Sequence, residues 1–228
     1  HIYGDFLESY FADFILKQGR DRVLNMKDGV LHSLALDCIA SYCPDFLSGQ
    51  EADELANDLR ENFDLNNREV LMADGSVRQS GTGSFLFADE HLLGEEYFPK
   101  VWGERSVWTE NLAEVKGRIE KLTGARYQVA RAIYYEDGGD EMAFHSDLPA
   151  YGPTDEIASL SLGAERIFQL RKVDDHDDVL SLRLRNGSLL FMGPNCQQQY
   201  EHGIPPDPDC TTWRINLTFR MFDGKFGH

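Results

Sequence analysis

Positive charge is scarce in this chain: 22 Lys and Arg stand against 39 Asp and Glu, a formal net charge of −17. A protein that grips duplex nucleic acid by laying Lys and Arg along phosphates has the opposite balance. Any nucleic-acid contact must therefore rest on a local patch, and the acidic surface reads first as a solvated one. Apolar runs of membrane-spanning length are missing, and so is a signal peptide at the start. No membrane partner is expected, and the protein is placed inside the cell, in the cytoplasm or, if eukaryotic, the nucleus. The four cysteines, Cys38, Cys43, Cys196 and Cys210, make no CxxC pair and no dense framework, so they read as mostly reduced thiols. Internal repeats and low-complexity tracts are absent too.

What is present changes character along the 228 residues. The first third reads helical. "DFLESYFADFIL" puts Phe6, Leu7, Tyr10, Phe11, Phe14 and Ile15 on one broad stripe. "SGQEADELANDLREN" opens with Ser48 and Glu51 in capping-box spacing. "TENLAEVKGRIEKLTG" sets Leu112, Val115, Ile119 and Leu122 on one helix face and stops at Gly124. The turn-rich "DGSVRQSGTGS" lies between, followed by "SFLFADE" as a short strand. From Tyr127 onward "YQVARAIYYE", "IASLSL", "RIFQLRK", "VLSLRLR", "SLLFMG" and "WRINLTFRMF" are short strands separated by turn residues. The layout is helices first, then a β-barrel-like core, an α+β class. The first 44 residues read as a helical extension and 45–228 as the main domain.

Two patterns carry chemistry. In "FHSD", His145 and Asp147 stand two apart, so on extended chain both side chains reach the same way. His202 in "YEHGIPP" supplies a third ligand. Two histidines and a carboxylate make the facial triad of non-heme Fe(II) oxygenases, whose open positions admit a co-substrate and dioxygen. A second triplet, His176 to Asp178, reads as a solvated loop. The strand "RINLTFR" alternates Ile215, Leu217 and Phe219 with Arg214, Asn216, Thr218 and Arg220. A row of polar groups facing a core would bury unpaired guanidinium charge. An anionic ligand such as 2-oxoglutarate removes that difficulty, because Arg takes a carboxylate in a fork of two hydrogen bonds.

Taken together, "YEDGGDEMAFHSD", "IASLSLGAERIFQLR", "NGSLLFMGPNCQQQYEHGIP" and "RINLTFR" resemble the AlkB family of Fe(II)/2-oxoglutarate dioxygenases, over roughly Asp45 to Met221. The histidines are 57 residues apart, and Arg214 follows His202 by 12. The resemblance implies a double-stranded β-helix (jelly-roll) core buttressed by helices. It implies iron on His145, Asp147 and His202, with Arg214 on the distal carboxylate of 2-oxoglutarate and Tyr135, Asn216, Thr218 and Arg220 completing that pocket; Arg220 also counts among the catalytic groups. The implied reaction couples decarboxylation of 2-oxoglutarate to hydroxylation of an N-methyl group, which then leaves as formaldehyde.

Three positions depart from the family pattern. Ile133 stands where Asn is usual, Pro149 where an acid often contacts the flipped base, and Phe85 and Phe87 where a tyrosine-bearing lid is usual. The expected substrate is an N-methylated nucleobase in single-stranded or flipped form. The readings held beside it are a small metabolite or protein side chain, and a non-catalytic binding module. Phe85, Phe87, Tyr151, Trp108 and Arg166 are the candidate substrate contacts. Arg131, Arg166, Arg171 and Lys172 are the candidates for a phosphate track, while Arg183 and Arg185 read as an exposed strand face.

Overall fold

Residues 23–226 are described by a computed structural model, and within them both helix signals become helices. Ser48 caps α1 (Gly49–Asn62): its hydroxyl accepts from the Glu51 N–H at 3.1 Å, and the Glu51 carboxylate accepts from the Ser48 N–H at 2.8 Å. That exchange satisfies two of the donors a helix start leaves free. Thr109 caps α2 (Glu110–Thr123), and Gly124 ends it at a left-handed φ of 78°. Leu55 and Leu59 of α1, with Leu112, Val115 and Ile119 of α2, are buried as their spacing predicts. The stripe from Phe6 to Ile15 lies outside the described residues. Over 23–44 the chain holds two short strands, β1 (His32–Ser33) and β2 (Ala40–Cys43), and no helix.

The turn-rich segment is in part an exposed hairpin of β3 (Glu69–Leu71) and β4 (Val77–Gln79). The remaining strands are β5 (Gly83–Ala88), β6 (Arg105–Val107), β7 (Val129–Tyr135), β8 (Met142–His145), β9 (Ile157–Gly163), β10 (Arg166–Lys172), β11 (Val179–Leu184), β12 (Leu189–Met192), β13 (Tyr200–Ile204) and β14 (Arg214–Arg220). The short helix α3 (Cys196–Gln199) links β12 to β13. Among the described residues, no helix is long and apolar enough to cross a membrane.

Over the described residues the chain is thus mostly β with few helices. An eight-stranded sheet runs β1-β2-β12-β9-β14-β7-β5-β6, and a four-stranded sheet runs β11-β10-β13-β8. The barrel-like expectation is corrected here: each sheet is hydrogen-bonded only within itself, so neither closes on the other. β14 sits inside the larger sheet, antiparallel to β7 on one side and β9 on the other.

The sheet buries apolar side chains on both of its faces. α1 and α2 cover one face, where Leu55, Leu59, Leu112 and Ile119 pack with Leu160, Leu217 and Phe219. Each such side chain contributes roughly 1.5–3 kcal/mol by leaving water. On the opposite face, Ile157, Leu190 and Met192 meet Phe168, Leu170 and Leu180 of the smaller sheet. The space left between the sheets is where the polar residues of β14 point.

The cysteine reading also changes. Cys38 and Cys196 form a disulfide, with Cα atoms 5.0 Å apart, while Cys43 and Cys210 are free. Pairing of β2 with β12, Ala40 opposite Met192, brings these two together across 158 residues of sequence, a proximity that cysteine spacing alone does not carry.

Candidate metal centre and co-substrate cavity

His145 closes β8 and His202 lies on β13, directly opposite it in the ladder. Their rings are 4.4 Å apart, centroid to centroid. Gly203 makes this approach feasible, since a Cβ there would lie 2.8 Å from the Met142 carbonyl oxygen on β8. Two residues past His145, Asp147 Oδ1 lies 3.4 Å from His145 Nε2 and 3.6 Å from His202 Nε2. One ligand atom from each of the three lies within 4.8 Å of the others, a group able to hold a metal ion.

The neighbours of this triad orient it. His145 Nδ1 is 2.8 Å from the Ala143 carbonyl oxygen, so it carries the proton and Nε2 is left for a metal. The Asp147 N–H donates to Gln197 Oε1 at 2.7 Å, and Ser146 Oγ donates to the Tyr200 carbonyl at 2.8 Å. His202 is buried against the Phe168 ring, and burial pushes its pKa down to about 4, which keeps the imidazole neutral and able to ligate. Burial opposes the charged form of Asp147, yet the His145 hydrogen bond and the nearby positive groups hold its carboxyl below the usual carboxylate range.

The triad opens into a cavity of about 420 Å³ between the sheets. Tyr135, Arg214, Asn216, Thr218 and Arg220 all line it, as do Tyr151, Arg131 and Ile133. Arg214 is only 1% exposed. One of its nitrogens donates to Ser161 Oγ at 2.9 Å, while its Nε and Nη1 have no partner. Burial lowers its pKa, against the neighbouring Tyr135 hydroxyl, which favours the charged form, and with the Arg166 guanidinium adding to the lowering. A buried cation with two unmatched donors is costly by itself. The planar fork it presents suits a carboxylate, so the residues present fit 2-oxoglutarate. Asn216 donates to Ser159 Oγ at 2.6 Å and accepts from Thr218 Oγ1 at 2.7 Å, a network that fixes both on the cavity wall. Arg220 donates to the Leu148 carbonyl at 2.7 Å, so it also ties down the loop that carries Asp147.

The expected substrate contacts divide. Tyr151 lies on the cavity wall, where its hydroxyl accepts from Arg131 at 2.9 and 3.0 Å. Phe85 and Phe87 do not reach it: they point toward the helices and cluster with Phe63, ring centroids 5.0 to 5.1 Å apart. Trp108 donates to Asp89 at 2.7 Å and stacks on Phe219 in that same core. Arg166 is fully buried and donates to the carbonyls of Asp137, Asp140 and Pro205, a brace for two loops. The phosphate-track residues are engaged as well, Arg171 with Glu201 and Lys172 with Asp37. Gln197 and Ser161 went unremarked in the sequence, since only the folded chain brings them to Asp147 and Arg214.

Comparison with known proteins points the same way. Residues 40–220 match the 2OG-Fe(II) oxygenase superfamily. The chain is 30% identical over 187 residues to the bovine (Bos taurus) alpha-ketoglutarate-dependent dioxygenase alkB homolog 3, covering 78% of this chain and 64% of that protein. It is 29% identical over 206 residues to the human protein of the same name, covering 85% and 71%. It is 35% identical over 134 residues to the Arabidopsis thaliana DNA oxidative demethylase ALKBH2, covering 48% and 43%. The chain thus spans less than two thirds of the bovine and Arabidopsis relatives.

Proposed function

This chain belongs to the 2OG-Fe(II) oxygenase superfamily, and we propose that it is an AlkB-like dioxygenase that removes N-methyl groups from nucleobases in DNA or RNA by oxidation. The observation that carries the proposal is Arg214, a buried cation with two unpartnered donors in the same cavity as the His145–Asp147–His202 group. The strand order supports a double-stranded β-helix for this core. Of the eight strands β7 to β14, four (β12-β9-β14-β7) lie side by side in the larger sheet, and the other four (β11-β10-β13-β8) form the smaller one.

In this reading Fe(II) is held by His145, Asp147 and His202, and 2-oxoglutarate by Arg214. When bound, iron with 2-oxoglutarate and dioxygen supplies the oxidising power that hydroxylates a substrate C–H, with succinate and CO2 as co-products. The protein's own contribution is positional. The Ala143 carbonyl holds His145 in one tautomer, Gln197 fixes the backbone of Asp147, and Arg220 pins Leu148. Ser161 Oγ accepts from one Arg214 nitrogen and so satisfies part of the buried guanidinium. Ile133 places an aliphatic wall where a polar contact is usual, so orientation of 2-oxoglutarate falls to Arg214 and the Asn216–Thr218 pair.

The DNA oxidative demethylase among the relatives gives the nucleobase reading its substrate. A second reading, oxidation of a small metabolite or a protein side chain, is favoured by the net charge of −17 and by a cavity wall without the expected acid, since Pro149 follows Leu148. Succinate release with Fe(II), measured with and without a single-stranded oligonucleotide carrying N-methylated bases, separates them. Stimulation accompanied by formaldehyde is the expected result. Succinate formed at the same slow rate either way would reject the nucleobase and leave the oxygenase.

A further inference from the structure

Beside the metal cavity lies a second pocket of about 220 Å³, lined by Glu96, Tyr97, Trp102, Ala150, Phe222 and Phe226 together with Gly224. Four of these are aromatic, and Tyr97 and Phe226 remain 41% and 39% exposed. Exposed rings gathered around one concavity mark a binding surface more often than an accident of packing. The rings are held in place from behind. Phe98 is fully buried and meets Trp102 at 5.4 Å and Phe222 at 5.6 Å, and Tyr97 stands edge-on to Phe222 at 5.8 Å.

The two cavities adjoin. Ala150 lines both. Trp102 of the second pocket stands edge-on to Tyr151 of the first, centroids 5.1 Å apart, and its carbonyl accepts from Arg131 of the first at 2.8 Å. A molecule whose reacting part sits by the metal ligands can therefore reach the aromatic pocket with an adjoining part.

Charge narrows what that part is. Glu96 is the charged residue on this wall. The guanidiniums beside it are engaged elsewhere: Arg105 is turned to the carbonyls of Phe98, Pro99 and Gly103, and Arg131 to the Trp102 carbonyl, the Tyr151 hydroxyl and Ser84. The pocket thus suits no phosphate. It suits a planar ring that stacks and presents an amino group to a carboxylate, as a nucleobase does.

We propose that this pocket takes the nucleobase adjacent in the strand to the one being oxidised. The inference rests on the nucleobase reading above and names how such a strand is held: by stacking, in a chain whose net charge of −17 argues against a phosphate grip. Stacking on aromatic rings is tolerant of base identity and independent of phosphate neutralisation.

The test uses the full chain with Fe(II) and 2-oxoglutarate. Oxygen is excluded for binding and admitted for turnover. The binding probe is an unmethylated single-stranded oligoadenylate, followed by quenching of tryptophan emission, with Trp102→Phe to assign the signal. The turnover probe is the same strand with one N-methylated adenine, its neighbours either adenines or abasic sites. Tyr97→Ala and Phe226→Ala remove exposed rings and leave the metal ligands untouched.

Expected are quenching that Trp102→Phe abolishes and a KM roughly tenfold lower with flanking adenines than with abasic flanks. Either Ala variant should erase most of that advantage with kcat kept. No Trp102-dependent quenching, or equal KM values for the two strands, overturns the proposal even where demethylation proceeds. Quenching by tetramethylammonium but not by the oligonucleotide also overturns it, in favour of a cation cage. Quenching by the oligonucleotide without demethylation supports the pocket and instead removes the demethylase reading.

Discussion

The arginines on one face of β14 are buried much as the apolar residues on the other are, but they are not equally satisfied. Ile215, Leu217 and Phe219 are fully buried in the apolar cluster beneath the helices. Arg214 and Arg220, pointing the other way from the same strand, are 1% and 5% exposed, and three of their nitrogens have no partner. Burial explains the first face completely, because apolar side chains gain by leaving water. It explains nothing about the second, where the same burial is a penalty. One face is a foundation and the other a cavity wall suited to an anion, so perturbing each should give opposite signatures: loss of stability without loss of ligand affinity, or the reverse.

The largest effect is expected at the metal group beside the second face. Asp147→Ala should reduce succinate formation to background and abolish Fe(II) binding by titration, while the melting temperature of the metal-free protein stays close to wild type. A variant that still binds iron at wild-type affinity would mean that the ligand set is drawn wrongly. Next comes Arg214→Met, which removes a buried charge and keeps the volume. Two charge-assisted hydrogen bonds at roughly 1.5–3 kcal/mol each predict a loss of 2-oxoglutarate affinity of about a hundredfold or more. The free protein should become more stable by about 1 kcal/mol or more, since an unpaired buried cation is gone. Wild type should gain about 2.7 kcal/mol at a hundred times its dissociation constant for 2-oxoglutarate, and the variant at the same concentration no more than about 0.4 kcal/mol. If Arg214→Met destabilised the ligand-free protein, the contrast between the faces would fail.

Leu217→Ala makes the matching cut on the apolar face. The cavity it leaves should cost roughly 2–5 kcal/mol in denaturant unfolding. The 2-oxoglutarate KM of the folded fraction should be unchanged, and a large rise would show that the faces are mechanically coupled.

Much of this contrast is legible in the sequence, for a physical reason. A strand's period of two fixes which residues share a face, so "RINLTFR" separates its polar from its apolar set without a structure. The start of α1 is legible likewise, because Ser48 and Glu51 act within one turn. Absolute facing is not legible. Alternation put Phe85 and Phe87 on one side of β5 but could not say which, and the side is set by Phe63 and the helices behind them. Arg166 looked available for the same reason, until the Asp137–Asp140 loop and Pro205 closed over it. The Cys38–Cys196 bridge and the Gln197 contact to Asp147 both depend on strand pairing across long separations. The second aromatic pocket draws on residues as far apart as Tyr97 and Phe226.

The smallest expected effect is the most discriminating about how the Arg214 guanidinium is held on the cavity wall. Ser161 Oγ is the partner of one Arg214 nitrogen, and Ser161 itself is 2% exposed on β9. Ser161→Ala takes away that acceptor and leaves the cation in place, with one more donor unmatched. Stability of the ligand-free protein should fall by about 1 kcal/mol, about 2–4 °C in melting temperature for a domain of this size. The KM for 2-oxoglutarate should rise only a few-fold, since the donors without a partner, Nε and Nη1, are not the one that Ser161 engages. Bound ligand should restore part of the lost stability by neutralising the same guanidinium. A KM change as large as that of Arg214→Met would mean that Ser161 aims the fork rather than merely satisfying its far edge. In that case the polar face is organised as a whole, and Arg214 is not its sole point of attachment.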